Sequence, residues 1–257
     1  MIDGVEVAID REAVVITARE RLTAVSSAVV GGGLAEARAV VNLHVPKNVA
    51  LDDLEHRLAA FVARRGVPSP WVGLLTSAWT ERAQVAEATE HGIAALAVVT
   101  VGLSNRVAAG VAPAASWTTS TINAIVVVDA APEAAALVNA VMIVTEVKTA
   151  LLAAAGIRCE DGTPASGTST DAVVVAATGR GRPCRFGGPV SELGSVVARA
   201  ARTALAAGID RWVVEHPLDA ADGWRRSSPH SRSTAPCCLP SCCSSRASPG
   251  FARSSSI

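Results

Sequence analysis

Ser166 to Ala177 reads SGTSTDAVVVAA. Small, mostly hydroxyl-bearing residues, Ser166, Gly167, Thr168, Ser169 and Thr170, lead into Asp171 and then directly into Val173-Val174-Val175. A short, unbroken β-branched run is the pattern of a buried strand. The loop before it lifts polar donors and acceptors with small side chains to the end of a rigid element. That is a good place for chemistry on a polar ligand. A turn that only caps a strand would read the same way. Upstream, Ser120 to Ala130, STINAIVVVDA, repeats the arrangement of hydroxyls followed by a buried-type strand.

Working outward, the second half reads as strand then helix, twice. Ile122 to Val128 is a strand, and Pro132 starts a long helix that ends at Ala154-Ala155-Gly156-Ile157. Ala172 to Ala176 is a strand, and Ser191 starts a helix that ends at Ala206-Ala207-Gly208-Ile209. Both helices are Ala-rich and reach a glycine suited to a left-handed cap. The period near fifty residues fits a weak duplication or a coincidence in an Ala/Val-rich chain. The first half reads mainly as strands: alternating Val5, Val7 and Ile9, then Val14 to Thr17, Leu22 to Val30 and Arg38 to Val45. Asp52-Asp53 caps an amphipathic helix carrying Leu54, Leu58 and Phe61, which Gly66 and Pro68 end. Val72 to Leu75, Gln84 to Thr89 and Ala94 to Leu103 are further strands. This pattern predicts an α+β fold of layered sheets covered by helices.

The chain has 257 residues, half of them hydrophobic, with few aromatics and no Tyr. Its core must therefore be built from many small side chains. The formal net charge is zero, so no global field favours nucleic acid or an anionic membrane surface. No uninterrupted apolar run reaches membrane-spanning length, and the acidic, alternating start MIDGVEVAIDRE is not a secretion signal. Two body cysteines, Cys159 and Cys184, make no disulfide framework. A cytoplasmic protein is expected, with no nucleic-acid or membrane partner. From Arg225 the chain reads RRSSPHSRSTAPCCLPSCCSSRASPGFARSSSI, without periodicity. Disorder is expected there. Its Cys237-Cys238 and Cys242-Cys243 pairs match no familiar zinc spacing. Ser, Pro, Arg, Cys and Ala are what GC-rich DNA yields out of frame, so a frameshift is the leading explanation.

Five segments, SSAVVGGGL (Ser26 to Leu34), VTVGLSN (Val99 to Asn105), STINAIVVVDA, VTEVKTALL (Val144 to Leu152) and TDAVVVA, resemble in order and spacing the adenosylcobinamide amidohydrolase family. The resemblance covers roughly Ala24 to Trp212. It implies cleavage of the amide joining aminopropanol to the corrin ring, giving adenosylcobyric acid in cobamide salvage; the alternatives are a non-catalytic corrinoid-binding protein or a self-processing aminopeptidase on the same fold. The cobalt corrinoid is then the substrate, no cofactor is expected, and a homo-oligomer is compatible with the reading. The implied organisation is an amidohydrolase domain over residues 1–224 and a tail over 225–257. STINAIVVVDA, then a helix, then GTSTDAVVVA, is also loosely similar to the β-aminopeptidases. That likeness implies an αββα sandwich and a nucleophile exposed by self-cleavage. Thr121 would match the nucleophile, with Ser169 and Asp171 as supporting hydroxyl and carboxylate. Ser120 stands where a Gly usually precedes such a nucleophile, which argues against self-cleavage.

Amide hydrolysis needs a nucleophile, a base and an oxyanion stabiliser. His44, His56, His91, His216 and His230 are scattered, with no HxH or HExxH pair, so no metal site is expected. No GxSxG elbow occurs. The hydroxyl-rich loops remain, with Thr121 either the nucleophile or an ordinary β-branched strand residue. Glu146 and Lys148 are charges in an apolar helix, two apart and so on different faces; either could be functional or solvated. Asn123 and Asn105 could donate to the oxyanion or to corrin amides. The expected catalytic set is Thr121, Asn123, Glu146, Lys148, Ser169 and Asp171. The expected substrate contacts are Ser27, Gly31, Gly32, Gly33, Asn42, Ser104, Asn105 and Thr168. Gly31-Gly32-Gly33 is no phosphate loop; it permits close backbone approach, to another strand or to a flat macrocycle.

Overall fold

The computed structural model describes residues 1–47, 49, 53–113 and 121–217. The expected tail from residue 225, together with Ser120 and Asp52, lies outside the described residues. The strands are β1 (Val5–Ile9), β2 (Ala13–Ser26), β3 (Gly33–His44), β4 (Trp71–Thr76), β5 (Gln84–Glu90), β6 (Ile93–Val101), β7 (Arg106–Val107), β8 (Ile122–Asp129), β9 (Ala131–Pro132), β10 (Gly167–Thr168), β11 (Ala172–Ala177) and β12 (Pro183–Cys184). The helices are α1 (Leu54–Arg65), α2 (Ala134–Ala154) and α3 (Glu192–Glu215).

Eight strands form one sheet in the order β4-β3-β2-β11-β8-β6-β5, with β1 also on β2. In this order β3 and β6 are four strands apart, about 19 Å along a flat sheet at the usual strand spacing. Yet Asn42 Nδ2 on β3 donates to Thr100 Oγ1 on β6 at 3.0 Å. The sheet must therefore fold back on itself. Strand β2 makes the turn: its first half pairs with β1 and its last residues, Thr23 to Ser26, pair with β11. Its register against β3 shifts between Thr17 and Leu22.

Side-chain alternation then builds the layers. Val14, Ile16, Val40 and Val72 share one buried cluster with Leu96, Val98, Ile125 and Val174, so these residues fill the space between the two sheet layers. Their neighbours face outward. Val15, Val41 and Leu43 pack under Leu58, Phe61 and Val62 of α1, while Ala97, Val126 and Val175 pack under α2 and α3. The architecture is α+β in four layers, helix–sheet–sheet–helix, as the β-aminopeptidase likeness implied.

Two local expectations change. Val14–Thr17 and Leu22–Val30 are not separate strands but parts of β2, which ends at Ser26; the polar stretch between them is the outward side of the bend. Helix α3 does not stop at Gly208 but runs to Glu215. Gly208 is buried, and a Cβ there would meet Val101 Cγ2 at 2.6 Å, so it lets α3 approach β6 rather than capping the helix. Helix α2 is long and apolar enough to cross a membrane by length and composition. Here it packs Leu137, Ile143, Val144 and Leu152 into the core beneath β8 and β11. Strands β8 and β11 run parallel and adjacent, so the two strand–helix units stand side by side.

Candidate active site

The hydroxyl-rich loop is held at both ends. Gly167 and Thr168 pair with Val107 and Arg106, and Ala172 begins β11 beside Asn123 of β8. Between them Asp171 turns inward. Its Oδ1 accepts from Ile122 N at 2.9 Å and from the Thr168 hydroxyl. Its Oδ2 accepts from Thr168 N at 3.0 Å and from Lys148 Nζ. All four of these partners donate, which an ionised carboxylate, an acceptor only, satisfies. The Lys148 and Asp171 side chains are 10% and 11% exposed. A buried ammonium needs such a partner, since desolvation would otherwise be costly. A mid-helix lysine thus reaches from α2 to the start of two strands.

Thr121 immediately precedes the anchored Ile122. It is 1% exposed, and its carbonyl accepts from Gly102 N at 3.0 Å. Its hydroxyl lies 2.7 Å from Thr170 O and 3.1 Å from Asn123 Oδ1, and its one proton serves either. Asn123 Nδ2 donates to Asn42 Oδ1 and to Leu75 O, both at 2.8 Å. With Asn42 and Thr100, a buried polar chain crosses the space between the sheet layers and ends beside Thr121. Thr121 and Thr170 also line a small cavity of about 120 Å³ whose other walls are mostly apolar.

The structure brings together Thr121, Asn123, Lys148, Thr168 and Asp171. Ser169, in the same loop, accepts through its hydroxyl from Asn105 Nδ2. Ser27 lines the cavity, and its Oγ accepts from Val173 N at 3.1 Å. The other expected residues are placed as follows. Glu146 is exposed on α2, because two residues of helix turn it away from Lys148. Asn42 is 1% exposed, donates to Thr100 Oγ1 and accepts from Asn123 Nδ2, so it backs Asn123 from within the core. Gly31 and Gly32 make their close approaches to protein backbone, Trp71 O and Ala28 O, not to open space. Ser104 is exposed and borders other clefts. His44 places Nδ1 3.0 Å from Ala78 O and stacks its ring on Trp79. Among the described residues, no three His, Cys, Asp or Glu side chains gather as metal ligands. Burial pushes the Cys159 and Cys184 thiols up, so neither is a ready thiolate near neutral pH.

Sequence reasoning missed Gly167 as a site residue. A Cβ there would lie 2.2 Å from Asp171 Oδ2 and 2.7 Å from Lys148 Nζ, so only hydrogen fits against the ion pair. Its setting among small loop residues carried no separate signal. It also missed backbone groups, Ile122 N and the Thr170 and Leu75 carbonyls, which no side-chain pattern can reveal.

The family model described as adenosylcobinamide amidohydrolase (CbiZ) matches residues 1–217. A protein of Halobacterium salinarum named adenosylcobinamide amidohydrolase is 32% identical over 193 residues, spanning 70% of this chain and 77% of that protein. Among solved structures, the PH0078 protein from Pyrococcus horikoshii OT3 aligns with a TM-score of 0.43 at 13% identity, over 84% of this chain and 80% of that one. A Burkholderia sp. beta-aminopeptidase aligns with a TM-score of 0.42 at 12% identity, over 80% and 79%.

Proposed function

The chain belongs to the adenosylcobinamide amidohydrolase family, and from that membership we propose that it cleaves the amide joining aminopropanol to the corrin, giving adenosylcobyric acid for corrinoid salvage. The reading rests on one observation. Asp171 ties the buried Lys148 ammonium to Ile122 N, the residue after Thr121, and Thr121 lines a small cavity.

In this reading Thr121 Oγ adds to the amide carbon. The C–N bond breaks, aminopropanol leaves with the Thr121 proton, and the corrin acyl group stays as an ester. Water then adds to the ester and returns the proton to Thr121. Lys148, fixed by Asp171, supplies positive charge for the developing oxyanion. Asn123, anchored through Asn42 and Leu75 O, sets the Thr121 side chain. The corrin lies outside the cavity, over the loop around Asn105 and Ser169. Water is the only co-reactant, and the cobalt is part of the substrate.

The test is stoichiometric. Purified protein incubated with adenosylcobinamide should release one aminopropanol per adenosylcobyric acid formed, both followed by mass spectrometry. Intact adenosylcobinamide after prolonged incubation would contradict the proposal.

A further inference from the structure

Resting on the reading above, we propose that the cavity beside Thr121 holds the amine side of the scissile amide and selects a short aliphatic amine bearing one hydroxyl. Size is the first argument. The cavity is about 120 Å³, somewhat smaller than an apolar cavity of ~150 Å³ that takes benzene, a ligand of six heavy atoms. Aminopropanol has five heavy atoms. A corrin macrocycle is many times too large. With Thr121 in the cavity wall, the two sides of the amide divide, the small amine inward and the corrin outward.

Chemistry is the second argument. Val29, Val45, Leu74 and Leu75 give apolar walls suited to the carbon chain. Ser27 and Thr76 add hydroxyls to the same lining. Ser27 Oγ accepts from Val173 N at 3.1 Å and Thr76 Oγ1 from Ala78 N at 3.0 Å, so both oxygens are fixed in place. A hydroxyl that accepts one bond still has its own O–H to donate, which suits the single hydroxyl of the amine. Among the described residues no charged side chain lines the cavity, which suits an uncharged amine substituent.

Val29 is the handle for a test. It lines the cavity, yet is 47% exposed, so substitution there leaves the core intact. The substrates are adenosylcobyric acid amides of methylamine, aminopropanol and benzylamine. A mismatch of one methylene in a fitted apolar pocket changes discrimination by roughly 10- to 200-fold. Wild-type kcat/KM should favour the aminopropanol amide over the benzylamide by about tenfold or more. Val29→Phe should lower kcat/KM for the aminopropanol amide by about tenfold while sparing the methylamide. Val29→Ala should raise the benzylamide relative to the aminopropanol amide. Equal effects on all three amides, or none, would overturn the pocket assignment and leave the amidohydrolase reading standing. Failure of the wild type to cleave any of them overturns both.

Discussion

Asp171 receives four donors on two oxygens, and that count decides how it responds to substitution. In Asp171→Asn the new NH₂ group must face Lys148 Nζ and Thr168 N, or Ile122 N and the Thr168 hydroxyl. A donor then meets donors, and the Lys148 charge is left buried. Turnover should be lost, and stability should fall by about 3 kcal/mol, measured by urea unfolding. Near wild-type turnover and an unchanged midpoint would show that Asp171 is only a cap, since Asn caps equally well. Gly167→Ala tests the same ion pair from its other side. Its Cβ would displace Asp171 or Lys148, so activity should drop more than about tenfold, with a lowered Tm. Unchanged activity would mean the loop yields without moving the pair. Asp171 was legible in the sequence because it separates a hydroxyl-rich loop from a buried strand. Glu146 and Lys148 were not separable, because both are charges in one apolar helix. Only the rotation of α2 against its neighbours buries one and exposes the other.

At the scale of elements, α3 and the β1–β2 turn carry their own tests. Ala in place of a helical glycine usually gains about 1 kcal/mol. Gly208→Ala should instead lose about 1–3 kcal/mol, because the added methyl overlaps Val101 of β6. A raised urea midpoint would show that α3 stands off the sheet. Asp10, between β1 and β2, is pushed up by burial. Bonds from Ala13 N and Glu12 N and the Arg65 guanidinium outweigh that and hold its carboxyl below the ordinary 3.8. A depressed carboxylate stabilises the fold above that ordinary value, and the contribution disappears as pH falls through the lower folded value. The Asp10 side chain is 40% exposed, so solvent screening keeps the effect small. Asp10→Asn should lower Tm at pH 7, and the difference should close as pH falls below the ordinary 3.8 and through the lowered folded value. A difference independent of pH would contradict the assignment. Helix boundaries set by local chemistry, such as Gly66 after α1, could be read directly. Gly208 could not, because its reason is a strand more than a hundred residues away.

At the scale of the whole molecule, alternation in β2, β3, β6 and β8 showed which residues face together, but not that the sheet doubles back. The doubling depends on the bend in β2 and on Asn42, Thr100 and Asn123 meeting across the layers, contacts between strands distant in sequence. The tail from residue 225 has no apolar pattern with which to dock, so truncation after Trp224 should leave Tm unchanged. A large fall would show that it packs on the domain. In the proposed mechanism Thr121 is the attacking hydroxyl, with Lys148 and Asp171 tied to the neighbouring Ile122 N. The most direct test compares wild type with Thr121→Ala on adenosylcobinamide, following adenosylcobyric acid by mass spectrometry and substrate affinity by equilibrium binding. Loss of the attacking oxygen should lower kcat by about a thousandfold or more while binding persists, because the corrin contacts lie elsewhere. A Thr121→Ala enzyme retaining activity within about tenfold of wild type would contradict the claim and point to direct attack by water.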